Sequence, residues 1–287
     1  MGTLYVVATP IGNLQDLSPR AVETLKQADR IIAEDTRVTM KLCQVFGLHA
    51  RLVSCHRHNE DNKAPGLAEE ILEQNLTAAL VTDAGTPCIS DPGNELIRAA
   101  VEADIPVVGI PGACAAVTAL SISGFDLSTF LFYGFFPREA ADRRRLLEKM
   151  REGQTRTYVF YESPKRIMDA VEFFIGENAG LRLCVCNDLT KLHEMTFRGT
   201  PAEVRDQLLA KGNYDKGEFC IVAELDEDYI FVKREHVVSP EALLVDKMIQ
   251  ESCRARDAIR LVLADENNSY SKNELYAASL RLKELFG

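Results

Sequence analysis

Apolar positions along the chain fall into two alternating periods. Short, largely β-branched runs at Leu4–Ala8, Arg30–Ala33, Arg51–Ser54, Ala78–Thr82 and Pro106–Ile110 are separated by segments whose apolar residues recur at helical spacing. This strand, helix, strand alternation predicts a parallel sheet with crossover helices. After Gly124 the pattern restarts, with predicted strands at Phe130–Tyr133, Thr157–Tyr161, Arg182–Asn187, Met195–Gly199 and Phe219–Leu225. No long helical segment separates 182–187 from 195–199, so the second sheet is expected to be mixed. A polar stretch at Val232–Pro240 ends this region, and three helical segments follow at 240–251, 254–264 and 271–285. The last opens on Ser271 with Glu274 three residues on, a capping-box spacing. The expected fold class is α/β, with two α/β domains at 1–124 and 125–237 and a small helical appendage at 238–287. No internal repeat or low-complexity tract is present.

Composition narrows the class. The 287 residues are 46% hydrophobic and 26% charged, the balance of a folded globular chain, which excludes disordered, collagen-like and disulfide-scaffold proteins. The N-terminal run Gly2–Ala8 is too short for a signal segment and carries no basic residue before it, so the chain is expected to be cytoplasmic and not membrane-spanning. The eight cysteines form no C-x-x-C pair and are read as reduced thiols, mostly in the core. The net charge of −10 argues against a general nucleic-acid coater. It is unevenly spread, however. Residues 1–124 carry 9 basic and 15 acidic side chains, whereas 137–166 carry 9 basic and 5 acidic. Arg138, Arg143, Arg144 and Arg145 sit in this positive island, either as a solvated helix face or as contacts to RNA phosphates.

In a parallel sheet the loops leaving the carboxyl ends of the strands build the site. The first, Thr9-Pro10-Ile11-Gly12-Asn13-Leu14, has neither a dinucleotide nor a P-loop fingerprint, and reads as a tight turn or a ligand loop. The second, Ala33-Glu34-Asp35-Thr36-Arg37, offers two carboxylates and a guanidinium, although Asp35 can equally cap the next helix. The third, Thr82–Gly93, is richer in Gly, Pro and Thr than a connection needs, and its amides suit an anion such as a carboxylate. Asp91-Pro92 within it reads as an N-cap and first helical position. The fourth, Ile110–Ala116, runs into a helix of small residues that suits either a flat ligand or a close helix–sheet contact. Beyond residue 124, Phe160–Arg166 and Asn187–Glu194 again bring charge to strand ends, and the two sets of loops predict a cleft between domains. His56-Arg57-His58 lacks a convincing third ligand, so no metal is expected. No G-x-S-x-G is present, which weakens a covalent hydrolase mechanism.

Taken together, Leu4–Leu17, Ala33–Arg37, His58–Glu60, Asp83–Pro87, Ser90–Gly93, Pro111-Gly112 and Phe160–Arg166 closely resemble the small-subunit ribosomal RNA methyltransferases of the tetrapyrrole methylase superfamily. The resemblance covers nearly the whole chain. Precorrin methylases of that superfamily usually carry G-x-G-P-G after the first strand. Thr9-Pro10-Ile11-Gly12-Asn13 stands here instead, which favours the RNA branch. The resemblance implies S-adenosylmethionine as methyl donor, a homodimer, and methylation of the ribose 2′-hydroxyl of a cytidine in 16S rRNA, presented as free rRNA or as the small ribosomal subunit. The donor is then expected along Pro10, Asp83, Ala84, Gly85, Thr86, Ile89, Cys114, Ala115 and Tyr161. Glu34, Asp35 and Glu162 are unranked candidates for a general base, with Arg37, Lys165, Arg166 and Lys191 holding phosphate or polarising the hydroxyl. The chain departs from the family at Asn187-Asp188, where Arg-Glu is usual. A tetrapyrrole-type small-molecule methylase and a non-catalytic ribosome-assembly factor are the competing readings.

Overall fold

The computed structural model describes residues 2–153, 155–177, 180–226, 239–265 and 270–286. It divides into two compact units, Met1–Ile230 and Phe231–Gly287. The expected boundary at 237/238 and most of the polar stretch at Val232–Pro240 lie outside the described residues.

The first unit begins with strands β1 (Thr3–Val7), β2 (Arg30–Ala33), β3 (Arg51–Ser54), β4 (Thr77–Val81) and β5 (Val107–Ile110). They form one sheet in the order β3-β2-β4-β1-β5, and every pairing is parallel. Helices α1 (Pro19–Gln27), α2 (Thr36–Phe46), α3 (Glu60–Glu73) and α4 (Asn94–Glu102) cross between strands. Local chemistry explains their starts. Ser18 Oγ accepts from the Ala21 amide at 3.1 Å with Pro19 behind it, and Asp35 accepts from the Arg37 amide at 2.8 Å. Strands β1 and β4 are neighbours whose following connections run in opposite directions across the sheet, to β2 and to β5. The loops after them therefore part at a topological switch point, where ligands of open α/β sheets bind.

One helix start differs from the expected one. The helix expected at Asp91-Pro92 opens at Asn94 instead, with Gly93 as its N-cap at φ 126°. Cys88 and Ser90 lie in the left-handed region (φ 71° and 69°) and coil the loop for two residues longer than an N-cap at Asp91 allows. Glycine suits position 93 because φ 126° strains any side chain and a Cβ would crowd Leu80 Cδ2 at 2.8 Å, and its amide donates to Glu60 Oε2 at 2.7 Å.

The second sheet contains β6 (Phe130–Phe135), β7 (Thr157–Glu162), β8 (Leu181–Asn187), β9 (Met195–Gly199) and β10 (Phe219–Leu225), ordered β6-β7-β10-β8-β9. Only β6 and β7 pair in parallel, so the sheet is mixed. Helices α6 (Ala140–Glu152), α7 (Ile167–Gly176) and α8 (Pro201–Lys211) cover one face through Phe136, Phe160 and Phe174. The other face is covered by α5 (Ala115–Ser123), which follows the first sheet in sequence. Its Ala116, Ala119 and Leu120 pack on Val159, Cys184, Cys186 and Val222. The expected boundary at Gly124 is the left-handed C-cap of this helix (φ 79°), so it falls after the element that joins the two sheets.

In the second unit, α9 (Pro240–Gln250), α10 (Ala255–Leu263) and α11 (Lys272–Phe286) enclose Leu244, Ala258, Val262 and Leu275. Ser271 Oγ and Glu274 reciprocate as the capping-box spacing predicts.

Ala119 is fully buried on the face of α5 that packs on the second sheet. Ala119→Leu is expected to overpack this contact and to lower the unfolding free energy by about 1–3 kcal/mol, read from urea denaturation.

Candidate functional site

The loops at the carboxyl ends of β1, β4 and β5 fold over one another. Thr9 and Gly85 exchange backbone hydrogen bonds at 2.8 and 3.1 Å, and the Thr86 hydroxyl donates to the Ala113 carbonyl at 3.1 Å. The β1 loop also abuts the second sheet. A Cβ at Gly12 would meet Lys191 Cγ at 2.5 Å and Thr190 Oγ1 at 3.0 Å. Between these loops and the ends of β7, β8 and β10 lies a cleft of about 360 Å³.

Seven of the nine expected donor-binding residues line this cleft: Ala84, Gly85, Thr86, Ile89, Cys114, Ala115 and Tyr161. Pro10 and Asp83 line a neighbouring groove beside α2. Gly85 has φ 87°, a left-handed conformation that lets the loop turn against Ile11. The Tyr161 hydroxyl accepts from the Ala116 amide at 3.3 Å, which ties β7 to the first turn of α5, and burial raises its pKa.

Of the candidate catalytic residues, Glu162 alone lines the cleft. Its Oε1 accepts from the Ser163 amide at 2.6 Å and faces Arg166 Nη2 at 2.6 Å. Burial raises the Glu162 pKa against the opposing effects of Ser163 and Arg166. Glu162 Oε2 and Arg166 Nη1 are buried without a hydrogen-bond partner among the described residues. Glu34 accepts from the Thr82 hydroxyl at 2.8 Å. Asp35 caps α2 and grips Arg37 at 2.6 Å, and this hydrogen bonding holds its carboxyl down to about 2. Lys165 is exposed, and Lys191 spans Asp188 and Glu218 at 2.8 and 2.9 Å. Asn187, at the position where the family usually has arginine, is fully buried and accepts from Lys211 Nζ, so a cation still reaches this strand end.

The positive island divides. Arg138 is exposed, while Arg144 and Arg145 form surface ion pairs with Glu177 and Asp142 at 2.9 and 3.1 Å. Arg143 turns inward. It donates to the Pro137 carbonyl at 2.8 Å and lies 5.3 Å over the Phe136 ring. Arg145 also lines a groove with Tyr133, Phe135 and Lys149, and Phe135 belongs to both this groove and the cleft.

Several cleft residues carried no signal of their own in the sequence: Phe135, Cys186, Glu218 and Cys220. Cys186 and Cys220 meet because they are paired across antiparallel β8 and β10, a register that neither strand encodes alone. Asp91 was visible as a member of the Thr82–Gly93 loop and as a helix cap, not as a cleft carboxylate. Among the described residues, the charged side chains lining the cleft are all acidic, namely Asp91, Glu162 and Glu218. With its apolar walls and clustered carboxylates, such a cleft suits a cationic sulfonium and disfavours a pyrophosphate cofactor.

The tetrapyrrole (corrin/porphyrin) methylase family model matches residues 3–205, which hold the whole first sheet and four of the five strands of the second. The chain belongs to this family. It is a methyltransferase and depends on S-adenosylmethionine, whose cationic centre the cleft fits. It is 42% identical over 279 residues to the ribosomal RNA small subunit methyltransferase I of Halalkalibacterium halodurans, covering 96% of this chain and 93% of the relative. It is 41% identical to the protein of the same name from Haemophilus influenzae, covering 97% and 96%. The crystal structure of a diphthine synthase shares the methylase fold, with a TM-score of 0.58 at 15% identity over 78% of this chain and 90% of that one. Among the described residues, no helix is long and apolar enough to cross a membrane.

Replacing the Tyr161 hydroxyl removes the acceptor for the α5 amide. Tyr161→Phe is expected to cost about 0.5–1.5 kcal/mol in thermal or urea unfolding and to weaken S-adenosylmethionine binding measured by calorimetry.

Proposed function

We propose that this methyltransferase acts in the cytoplasm, as a homodimer, on the ribose 2′-hydroxyl of a cytidine in 16S rRNA. The observation that carries the RNA reading is the position of Phe135. It lines the donor cleft on one side and, on the other, the groove that holds Tyr133, Arg145 and Lys149. Tyr133 and Phe135 are exposed on the edge strand β6, where a splayed base can stack, and Lys149 beside them suits a phosphate, as does Arg145 once it leaves its surface ion pair with Asp142, which lines the same groove. The names of the full-length relatives support a ribosomal RNA substrate. Exposed Leu14, Val38 and Val45 around the groove beside α2 support an apolar face for a second copy.

S-adenosylmethionine is consumed as a second substrate and supplies an electrophilic methyl group on sulfur. The chain's own contribution is chiefly alignment. Oriented groups reach effective molarities of about 10⁵–10⁸ M, and the small residues Ala84–Thr86, Cys114 and Ala115 line a wall against which donor and acceptor can be aligned. Arg166 neutralises Glu162 beneath the β7 loop and holds Ser163 and Pro164 at the cleft rim. Exposed Lys165, next to that rim, is placed for a phosphate.

The test is a methyl-transfer assay on naked 16S rRNA and on small subunits from a strain lacking this protein, with the product mapped by reverse transcription at low nucleotide concentration. A stop at one cytidine ribose is expected, and methylation of a porphyrin-type substrate without RNA would overturn the reading. Sedimentation is expected to give a dimer. In the variant R145Q/K149Q the salt dependence of RNA binding should fall by about one unit of slope for each phosphate that is no longer neutralised, with S-adenosylmethionine affinity unchanged. Arg143 is left intact because its inward packing would confound the result.

A further inference from the structure

The cleft holds a carboxylate that the fold delivers by an unusual route. Asp91 follows Cys88 and Ser90, both in the left-handed region, and this coiled backbone carries it away from the helix cap and into the cleft wall. Ser90 braces the loop from the far side. A Cβ at Gly134 of β6 would lie 3.4 Å from Ser90 Oγ, and the Ser90 carbonyl accepts from Arg57 at 3.0 Å.

The other carboxylates at these strand ends are committed elsewhere. The Glu162 side chain is 0% exposed and engaged by Arg166. Asp35 is bound to Arg37, Glu218 is paired with Lys191, Glu34 takes the Thr82 hydroxyl, and Asp83 accepts from the Asp35 amide at 3.1 Å and lines the groove beside α2 instead of the cleft. Asp91 is half-buried, lines the cleft, and has no ion pair among the described residues.

Resting on the ribose-methylation reading, we propose that Asp91 is the proton acceptor for the hydroxyl that is methylated. The hydroxyl O–H bond breaks and its proton passes to an Asp91 oxygen. The oxygen's electron pair forms the new bond to the methyl carbon, and the carbon–sulfur pair stays on sulfur as a neutral thioether. The surroundings suit the task. Burial and the facing carboxylates of Glu34 and Asp83 push the Asp91 carboxyl up to about 6, opposed by Arg57 and by the Thr82 hydroxyl. Cys88, on the same loop, is itself raised to about 11 by burial, with Glu60 and Asp91 adding to the shift, and stays a neutral thiol at pH 7. Asp91 is therefore ionised at neutral pH and ready to receive a proton.

The sign of the linkage gives a readout independent of turnover. A carboxyl raised from 3.8 to about 6 in the folded state favours folding at low pH, and this contribution is lost as pH rises from about 4 to 6. The thermal midpoint of Asp91→Asn relative to wild type should therefore climb across that interval and level off above it.

Mapping the wild-type product first judges the functional reading by itself, and comparing variants on the same acceptor then judges Asp91. D91N is expected to slow single-turnover transfer at saturating S-adenosylmethionine by about 10²–10⁴-fold, a loss far larger than any change in calorimetric S-adenosylmethionine affinity. The wild-type rate should rise through an inflection near pH 6 that D91N lacks and D91E partly restores. A D91N enzyme near wild-type rate, a retained inflection, or a rate loss explained by weakened donor binding would each overturn the proposal.

Discussion

Ala116, Ala119 and Leu120 bring α5 against Val159, Cys184, Cys186 and Val222 of the second sheet, and the small alanines let the helix backbone approach closely. This helix leaves the last strand of the first sheet yet is buried on the second, so it fixes the two sheets as one unit. Cys114 and Ala115, at its start, and Tyr161, which bonds its first turn, become walls of the same cleft. The close contact of Gly12 with Thr190 and Lys191 joins the sheets at a second point. A methyl donor and its acceptor need alignment above all, and a cleft pinned from both sides supplies it.

Charge follows from this arrangement. Strand ends from both sheets converge, and the carboxylates they carry are crowded into a partly desolvated space. Asp83 and Asp91 are raised there, first by burial and then by Glu34, while Glu162 is raised by burial despite Arg166. Asp35, one residue from Glu34, goes the other way because Arg37 hydrogen-bonds it directly. Carboxylates on adjacent strand-end loops, Asp35 on one and Asp83 on the other, thus shift in opposite directions according to burial and their immediate partners. The acidic cleft and the basic, aromatic groove beside it meet at Phe135, and this explains how a chain of net charge −10 can present RNA-compatible chemistry at one place.

Much of the site was legible because strand-end loops are local in sequence. Ala84–Thr86, Cys114-Ala115 and Tyr161-Glu162 stand in the loops that follow strands or at a strand's last residues, and in α/β sheets such segments face the ligand, although Asp83 of the same loop turns to the neighbouring groove. Side-chain direction was not legible. Arg143, Arg144 and Arg145 are consecutive, yet the helical period turns the first under Phe136 and leaves the other two in solvent. Asp91 resembles a cap because Asp-Pro usually opens a helix, whereas two left-handed residues nearby postpone that start to Gly93.

The sequence by itself determined the order and type of the elements, the parallel first sheet, the mixed second sheet and the capped helices of the C-terminal unit. These follow from periodicity and capping chemistry within short stretches of chain. Tertiary structure decided which strand faces α5, that Cys186 and Cys220 pair opposite Tyr161, and that Asp91 reaches the cleft while Glu34 and Asp35 do not line it. Those outcomes depend on packing between residues tens of positions apart, whose separation no local pattern encodes.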